Sequence, residues 1–591
     1  MLKYYVFWVA FFVFQKPLFM LWQYALLGDV GLADWFKVPL HGLPLDLSVA
    51  AYITAVYGLM LCVSVWTPTQ WLRVARDVYS GIVLVVAVLV VIGDNGCFPS
   101  WGYHLDKDVF NYLATPKEVL ACAPWWQWLL GFVCADMIIA IWWLVYLRVM
   151  RETAKRAIVP AKSRIGQCSV MVLLTALLFL PMRGSVTVST MNTGRVYYSA
   201  NRMLNIAAVN PVFNIVESLS ENRLKSGKYN YGLTSEDLPM RAEGEDLNVE
   251  RLFTSRRPNI VLFILESFSK NALYAMPNMH RFTQEGVYFS NVYANSYRTD
   301  RGVMAVLGAY PGSATTSVMT VPSKSSRLPQ IGPVLKAEGY DLKFYYGGDE
   351  DFTNMRSYLM TGGFEQRVCD HDFPLSQRMS KWGVPDHVLF DYAAHDITRR
   401  HDADGRRQFS VVLSLSSHEP FDVPYRHYED PFVNAVGYTD SCLGAFVDRL
   451  CRSPMWDSTV VVMVADHGYP YPRGIRNYDT LRYAIPLVMV GGAVRAAREV
   501  PTLCSQIDWV PTMLHQMGLD AGQFVYAKDI LDVRQTPYAY YHFVDGFALM
   551  TESGTTIIDA VTNETIYETN SDTLRARQAR AITQKIYEDL D

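Results

Sequence analysis

The chain has 591 residues, a net charge of −4, and 19% charged against 50% hydrophobic residues. So balanced a charge offers no basic field for a nucleic-acid partner, and the length exceeds one ordinary domain. Up to about Met182 the sequence is a series of apolar runs, and beyond it the pattern is that of a water-soluble domain.

Five runs approach the roughly 20 apolar residues that a bilayer crossing needs: Tyr4–Leu27, Leu47–Trp66, Val78–Ile92, Trp125–Leu147 and Gly166–Met182. The first, interrupted by Lys16 and Pro17, is too long for a signal peptide and is followed by further spans. The loop after the second span carries Arg73 and Arg76, and the loop after the fourth carries Arg148, Arg151, Lys155, Arg156, Lys162 and Arg164. The loops after the first and third are mixed or acidic, with Asp29, Asp34 and Lys37, then Asp94, Asp106, Lys107, Asp108, Lys117 and Glu118. Basic loops stay inside, which predicts a cytoplasmic N-terminus and an extracytoplasmic chain after Met182, in a cytoplasmic (inner) membrane. The spans are either a plain anchor or a means of holding a lipid substrate. The aromatics Trp101, Tyr103, Phe110 and Tyr112 suit headgroups in both cases. No span shows a paired charge cluster in sequence, which argues against an ion path. Of the nine cysteines, Cys97 and Cys122 share an outer loop and could pair. Cys442 and Cys451, about 13 Å apart along one helix, are too distant for a disulfide.

Residues 183–257 read as an extracytoplasmic linker lying at the membrane surface, weakly helical around Asn210–Asn222. From 258 to 591 the pattern alternates strand and helix. Near-continuous apolar runs at Ile260–Leu265, Leu342–Tyr346, Ser410–Leu415, Thr459–Val464 and Pro486–Val490 predict buried parallel strands. Amphipathic helices such as Tyr438–Cys451 fall between them. The expected architecture is a five-helix transmembrane domain (1–182) followed by an α/β sandwich with a mainly parallel sheet.

Three of these strands lead into chemistry-bearing residues. Ile260–Leu265 runs into Glu266-Ser267, Ser410–Leu415 into Ser416-Ser417-His418-Glu419, and Thr459–Val464 into Ala465-Asp466-His467-Gly468. Parallel strands deliver such residues to one rim, where open α/β sheets bind ligands. Two carboxylates and an imidazole suit a divalent cation such as zinc or manganese. Gly468 is expected to turn the chain so that Asp466 and His467 both face it. Arg298-Thr299-Asp300-Arg301-Gly302 precedes the apolar stretch Val303–Leu307. Thr299 at that helix N-terminus is either an N-cap or a nucleophile favoured by the helix dipole.

Taken together, Leu265-Glu266-Ser267, Arg298–Gly302, Ser417-His418-Glu419-Pro420-Phe421 and Ala465–Gly468, in this order, resemble the lipoteichoic acid synthase family of the alkaline phosphatase and sulfatase superfamily. The resemblance covers roughly Pro258 to Ile530. Trp382-Gly383-Val384, Tyr438-Thr439-Asp440 and Gln506-Ile507-Asp508 support it. It implies that Glu266, Thr299, Asp466 and His467 hold one divalent metal, manganese or magnesium, with zinc as an alternative. It also implies that Thr299 is the nucleophile and that His418 contacts the phosphate or assists the leaving group. Arg298, Arg301 and Arg356 would neutralise developing charge. The implied reaction moves a phosphoglycerol-type group from a phospholipid, phosphatidylglycerol above all, to a hydroxyl of a glycan or glycolipid through a threonine-linked intermediate. The family's Trp-Asn-Arg stretch is only loosely matched by Phe352-Thr353-Asn354-Met355-Arg356. A phosphoethanolamine transferase is the nearest rival, although Tyr469-Pro470-Tyr471 follows Asp-His-Gly where that group has Glu-Ser. Sulfatase chemistry needs Cys or Ser where this chain has Thr299.

Overall fold

The computed structural model describes the chain except residues 29, 68–69, 108, 111–124, 151–160, 187, 221–228, 240–248, 315, 379–381 and 591. Cys122 and several of the loop charges, Arg151, Lys155 and Arg156 among them, lie outside the described residues. The chain forms two compact units, Met1–Glu221 and Asn222–Asp591.

Among the described residues, the first unit holds five helical segments long and apolar enough to cross a membrane. They lie in α1 (Leu2–Trp22), α2 (Leu32–Trp66), α3 (Gln70–Trp101), α4 (Trp125–Val149) and, over Ser163–Arg183, the segment that begins in α5 (Ala161–Leu177). Helix α2 begins fifteen residues before the apolar run that announces it in sequence. Asp34, Lys37, Asp46, Pro39 and Pro44 break its hydropathy without breaking the helix. At 35 residues it is about 50 Å long, more than a hydrocarbon core requires. A paired charge does exist in the spans, contrary to the sequence expectation. Lys16 Nζ of α1 donates to both carboxylate oxygens of Asp46 in α2 at 2.6 Å, and both side chains are fully buried. The two residues are thirty apart in sequence, so no local pattern joins them. The segment expected as a surface linker divides between the units. Two short helices, α6 (Arg202–Ala208) and α7 (Pro211–Ser220), pack within the first, and buried Asn210 donates to Asp46 Oδ1 at 2.9 Å. The chain from 222 onward belongs with the second unit.

The second unit is built on a nine-stranded sheet. Its strands are β1 (Asn259–Leu265), β2 (Val287–Tyr293), β3 (Asp341–Tyr346), β4 (Gln366–Val368), β5 (Gln408–Leu413), β6 (Thr459–Ala465), β7 (Ala484–Val490), β8 (Arg498–Val500) and β9 (Cys504–Ser505). The order is β4-β3-β5-β1-β6-β7-β2-β8, with β9 also on β2. Among the described strands of this sheet only β7 runs against the rest, being antiparallel to both β6 and β2. Its apolar run reads as a parallel strand because such a run reports burial on both faces, not direction. Every residue of β1, β5, β6 and β7 is buried. Helices α8 (Thr299–Gly308), α9 (Asp386–Asp404) and α10 (Pro431–Leu450) connect strands of the sheet. A second, antiparallel sheet not anticipated from the sequence follows: β10 (Tyr538–Phe543), β11 (Gly546–Thr551), β12 (Gly554–Asp559) and β13 (Thr565–Glu568), packed by α11 (Thr573–Glu588).

Candidate active site and metal centre

The register of the two central strands creates the site. β1 and β6 pair in parallel with Leu265 opposite Ala465, so the next residue of each strand, Glu266 and Asp466, emerges at the same level of the carboxyl rim. On the other side of β1, Ile264 pairs with Leu413 of β5. There Ser414 Oγ accepts from Glu266 N at 2.8 Å, and Ser417 Oγ donates to Glu266 O at 2.6 Å. The chain then turns at Ser267, which takes a left-handed φ of 59°. That turn aims its amide at Asp466 Oδ1 (2.9 Å), while its hydroxyl donates to Glu266 Oε1 (2.8 Å).

Donor atoms of Glu266, Asp466 and His467 lie within 4.8 Å of one another, and all three residues are buried. His467 Nε2 is 3.5 Å from Glu266 Oε1 and 3.5 Å from Asp466 Oδ2. The other ring nitrogen, Nδ1, faces Gly468 O at 3.2 Å. A proton on Nδ1 satisfies that carbonyl and leaves the Nε2 lone pair directed at the two carboxylates, the tautomer a metal ligand requires. Asp466 Oδ1 accepts from the amides of Ser267 and His467, whereas Oδ2 is buried with no hydrogen-bond partner among the described residues. A buried orphan oxygen is costly unless a cation or proton meets it. Burial, then the neighbouring Glu266 charge, pushes the Asp466 carboxyl well above its usual range. Burial also raises Glu266, but His467, His418 and the hydroxyls of Ser267 and Thr299 outweigh it and hold its carboxyl down. Burial pushes the His467 imidazole below its usual range, against the opposing pull of Glu266. Two carboxylates, one of them orphaned, and an imidazole fit a divalent cation.

Thr299 joins this group. It is the first residue of α8, and the N-cap position belongs to Arg298. The Thr299 hydroxyl does not cap the helix but donates to Glu266 Oε2 at 2.9 Å. Its approach depends on Gly302. A Cβ there would lie 2.6 Å from the Asp466 carbonyl carbon and 2.8 Å from Asp466 Cβ, so α8 reaches the rim only with a bare backbone at this position. Gly468 has a related role. It does not take a left-handed turn; a Cβ there would collide with the backbone carbonyl of Arg482.

His418 stands close enough to act electrostatically on both Glu266 and His467. Its ring packs against Trp382, with centroids 4.4 Å apart. Asp386 holds its loop, accepting from Leu415 N (2.8 Å), Ser416 N (3.2 Å) and Thr439 Oγ1 (2.6 Å). Arg298 is exposed, and buried Arg301 lies over the Tyr297 ring at 4.9 Å. Arg356 is engaged by Asp351 (2.5 Å) and Glu350 (3.1 Å). Two further residues support the rim from behind. Gln506 Nε2 donates to Ala465 O and, at 2.7 Å, to Asp466 O. Asn295, four residues before Thr299, is fixed by Tyr540 O of the second sheet. Gln506 belongs to the Gln506-Ile507-Asp508 stretch that supports the resemblance, but its role shows only in these long-range bonds, and Asn295 carries no charge or motif of its own.

Residues 258–519 match the Sulfatase family. The phosphoglycerol transferase I of Xanthomonas campestris is 26% identical over 243 residues, which is 36% of this chain and 34% of that one. Lipoteichoic acid synthase 2 of Bacillus subtilis is 20% identical over 359 residues, 54% of each chain. This chain therefore spans only about a third to a half of the relatives' lengths. Among solved structures, a Vibrio parahaemolyticus protein of the alkaline phosphatase superfamily superposes with a TM-score of 0.52 at 23% identity, covering 63% of this chain and 97% of that one. A lipoteichoic acid synthase from Listeria monocytogenes does so with a TM-score of 0.50 at 18% identity, covering 58% and 96%. The second unit thus has the alkaline-phosphatase-like fold, its residues 258–519 are similar to the Sulfatase family, and its relatives by sequence include proteins named phosphoglycerol transferase and lipoteichoic acid synthase.

Proposed function

We propose that this protein is a membrane-embedded, metal-dependent phosphotransferase that moves a phosphoglycerol-type group from a phospholipid, phosphatidylglycerol by preference, to a hydroxyl of a glycan or glycolipid. The observation that carries the reading is the convergence of Thr299 with Glu266, Asp466 and His467, four residues scattered over two hundred positions. Glu266, Thr299, Asp466 and His467 would hold one divalent cation, manganese or magnesium with zinc as the alternative. When bound, it supplies charge to stabilise a developing oxyanion and to lower the threonine hydroxyl pKa.

The chain's own residues do the rest. The Thr299 hydroxyl is oriented by Glu266 Oε2, its hydrogen-bond acceptor. Its oxygen attacks the lipid phosphorus as its proton passes to Glu266 Oε2; the new bond is Oγ1–P, and the bond broken joins phosphorus to the diacylglycerol oxygen. That oxygen leaves with a proton, for which His418 is the donor near the site. The N-terminus of α8 and Arg301 favour the added negative charge. An acceptor hydroxyl then displaces Thr299 by the reverse sequence, with His418 as base. The five apolar helices fit an inner-membrane location near a lipid donor, and the loop charges favour an extracytoplasmic catalytic unit.

The test is transfer from labelled phosphatidylglycerol and, separately, labelled phosphatidylethanolamine by the full-length protein in mixed micelles. Label should move from the first and not the second, and Thr299→Ala should abolish it. Transfer from phosphatidylethanolamine alone would reassign the donor, and full activity in Thr299→Ala would refute the mechanism.

A further inference from the structure

A second donor cluster sits further along the same rim, where β3 and β4 end. Glu350 follows β3, and Cys369 directly follows β4. The two strand ends are tied by Asp370 N donating to Gly348 O at 3.1 Å. Donor atoms of Glu350, Cys369 and His371 all lie within 4.8 Å of one another. Cys369 Sγ is 3.1 Å from His371 Nε2. Tetrahedral zinc, with Zn–S of about 2.3 Å and Zn–N of about 2.0 Å, separates such atoms by roughly 3.5 Å. The pair is therefore a few tenths of an ångström from a coordination edge.

The surroundings are organised for it. His371 Nδ1 is 3.1 Å from Asp370 Oδ1. Sγ stands 3.1 Å from Nε2 and 3.6 Å from Nδ1, over the ring and not along the Nε2 lone pair, so the half-exposed ring must turn about its side-chain torsion to bring that lone pair onto an ion beside the sulfur; a proton on Nδ1 then leaves Nε2 as the ligand nitrogen. Asp372 Oδ2 accepts from the Cys369 amide at 2.9 Å and stands 3.4 Å from Sγ. Glu350 is paired through one oxygen with Arg356 (3.1 Å) and through the other with Arg367 (2.6 Å). A carboxylate oxygen offers two lone pairs, so each pairing leaves one available. The charges also point to a cation. Glu350, Asp351, Asp370 and Asp372 face Arg356, Arg367 and Arg378. Four carboxylates against three arginines leave one negative charge in excess, and a cation that displaces the Cys369 thiol proton would meet two. Cys369 is buried while the His371 side chain is half exposed, giving a metal a way in.

We propose that Cys369, His371 and Glu350 bind a second divalent cation, zinc by the softness of the thiolate and imidazole, which cross-links the ends of β3 and β4. It shares no ligand with Glu266, Asp466 and His467. Through Glu350 it also fixes the setting of Arg356, so Cys369 and His371 are positioning residues for that guanidinium.

The experiment is cobalt substitution in the full-length protein in detergent. The Glu266 site has no thiolate, so a sulfur-to-cobalt charge-transfer band in the near ultraviolet reports only a cysteine-bound ion. The wild type should show the band. Cys369→Ser should lose it, Asp466→Asn should keep it, and Asp370→Asn should weaken cobalt affinity by about 10–100-fold. Zinc analysis should find one ion per chain that is kept in Asp466→Asn and lost in His371→Ala. If Cys369→Ser fails to fold, His371→Ala decides the matter, since its exposed side chain can be removed without opening the core. No band at saturating cobalt, or a band unchanged in both Cys369→Ser and His371→Ala, overturns the proposal.

Discussion

Gly302→Ala puts the construction of the active site to a direct test. The added methyl would meet the Asp466 carbonyl carbon at 2.6 Å and the Asp466 Cβ at 2.8 Å. Ordinary carbon contacts sit at about 3.5–4.0 Å, so α8 or the Asp466 turn must retreat by about 1 Å. Neither gives way easily. The Asp466 backbone is held by Gln506 and by the hydrogen bond that Asp466 N donates to Leu265 O at 3.1 Å, and α8 is buried from Asp300 to Gly308. Overpacking of this kind costs about 1–3 kcal/mol of stability. The functional loss should be larger, because about 1 Å of misplacement between nucleophile and metal ligands costs on the order of 100-fold in rate. Transfer kinetics on labelled lipid, alongside a thermal midpoint, would separate the two effects. A Gly302→Ala protein with wild-type kcat/KM would show that Thr299 and Asp466 need not meet in the way described.

Other outcomes follow from the same geometry. Gln506→Ala leaves the Ala465 and Asp466 carbonyls without their donor; a loss of about 1–3 kcal/mol and weaker manganese binding by calorimetry are expected, and unchanged manganese affinity would count against the support role. Burial lifts the Asp386 carboxyl from the ordinary 3.8 to about 6. The folded chain then keeps a proton that the unfolded chain has released, so stability is fully present below about pH 4 and falls by about 3 kcal/mol as pH rises through 6. Thermal midpoints across that window should show a slope that Asp386→Asn flattens; equal slopes in the two proteins would contradict the assignment. In the membrane unit, Lys16→Met strands the Asp46 carboxylate and should cost about 3–5 kcal/mol. The double variant Lys16→Met/Asp46→Leu should recover much of that in detergent melting, and strict additivity would deny the pairing.

The parts of this molecule legible in sequence share a physical cause. Apolar runs such as Ile260–Leu265 and Thr459–Val464 disclose buried strands, and a polar residue at the end of such a run discloses a rim. Glu266, Asp466 and His467 were readable for that reason, and the structure brings them together with Thr299. Direction was not readable: β7 is as apolar as its parallel neighbours. Charged and proline-containing helix was not readable either, so the first fifteen residues of α2 were missed. Nor were partners distant in sequence. The Lys16–Asp46 pair, the Gln506 clamp and the second sheet behind Asn295 exist only through contacts that no local period encodes. Thr299 shows the limit most clearly. Spacing alone left it as either a cap or a nucleophile, and only the bond to Glu266 Oε2 separates it from the cap.

The most direct test of the central claim is peptide mapping by mass spectrometry after the full-length protein is mixed with phosphatidylglycerol and manganese and quenched before acceptor is added. The account predicts a glycerophosphoryl group on Thr299, lost in Thr299→Ala and in Asp466→Asn. Turnover with no adduct on Thr299, or an adduct on another residue, would contradict it.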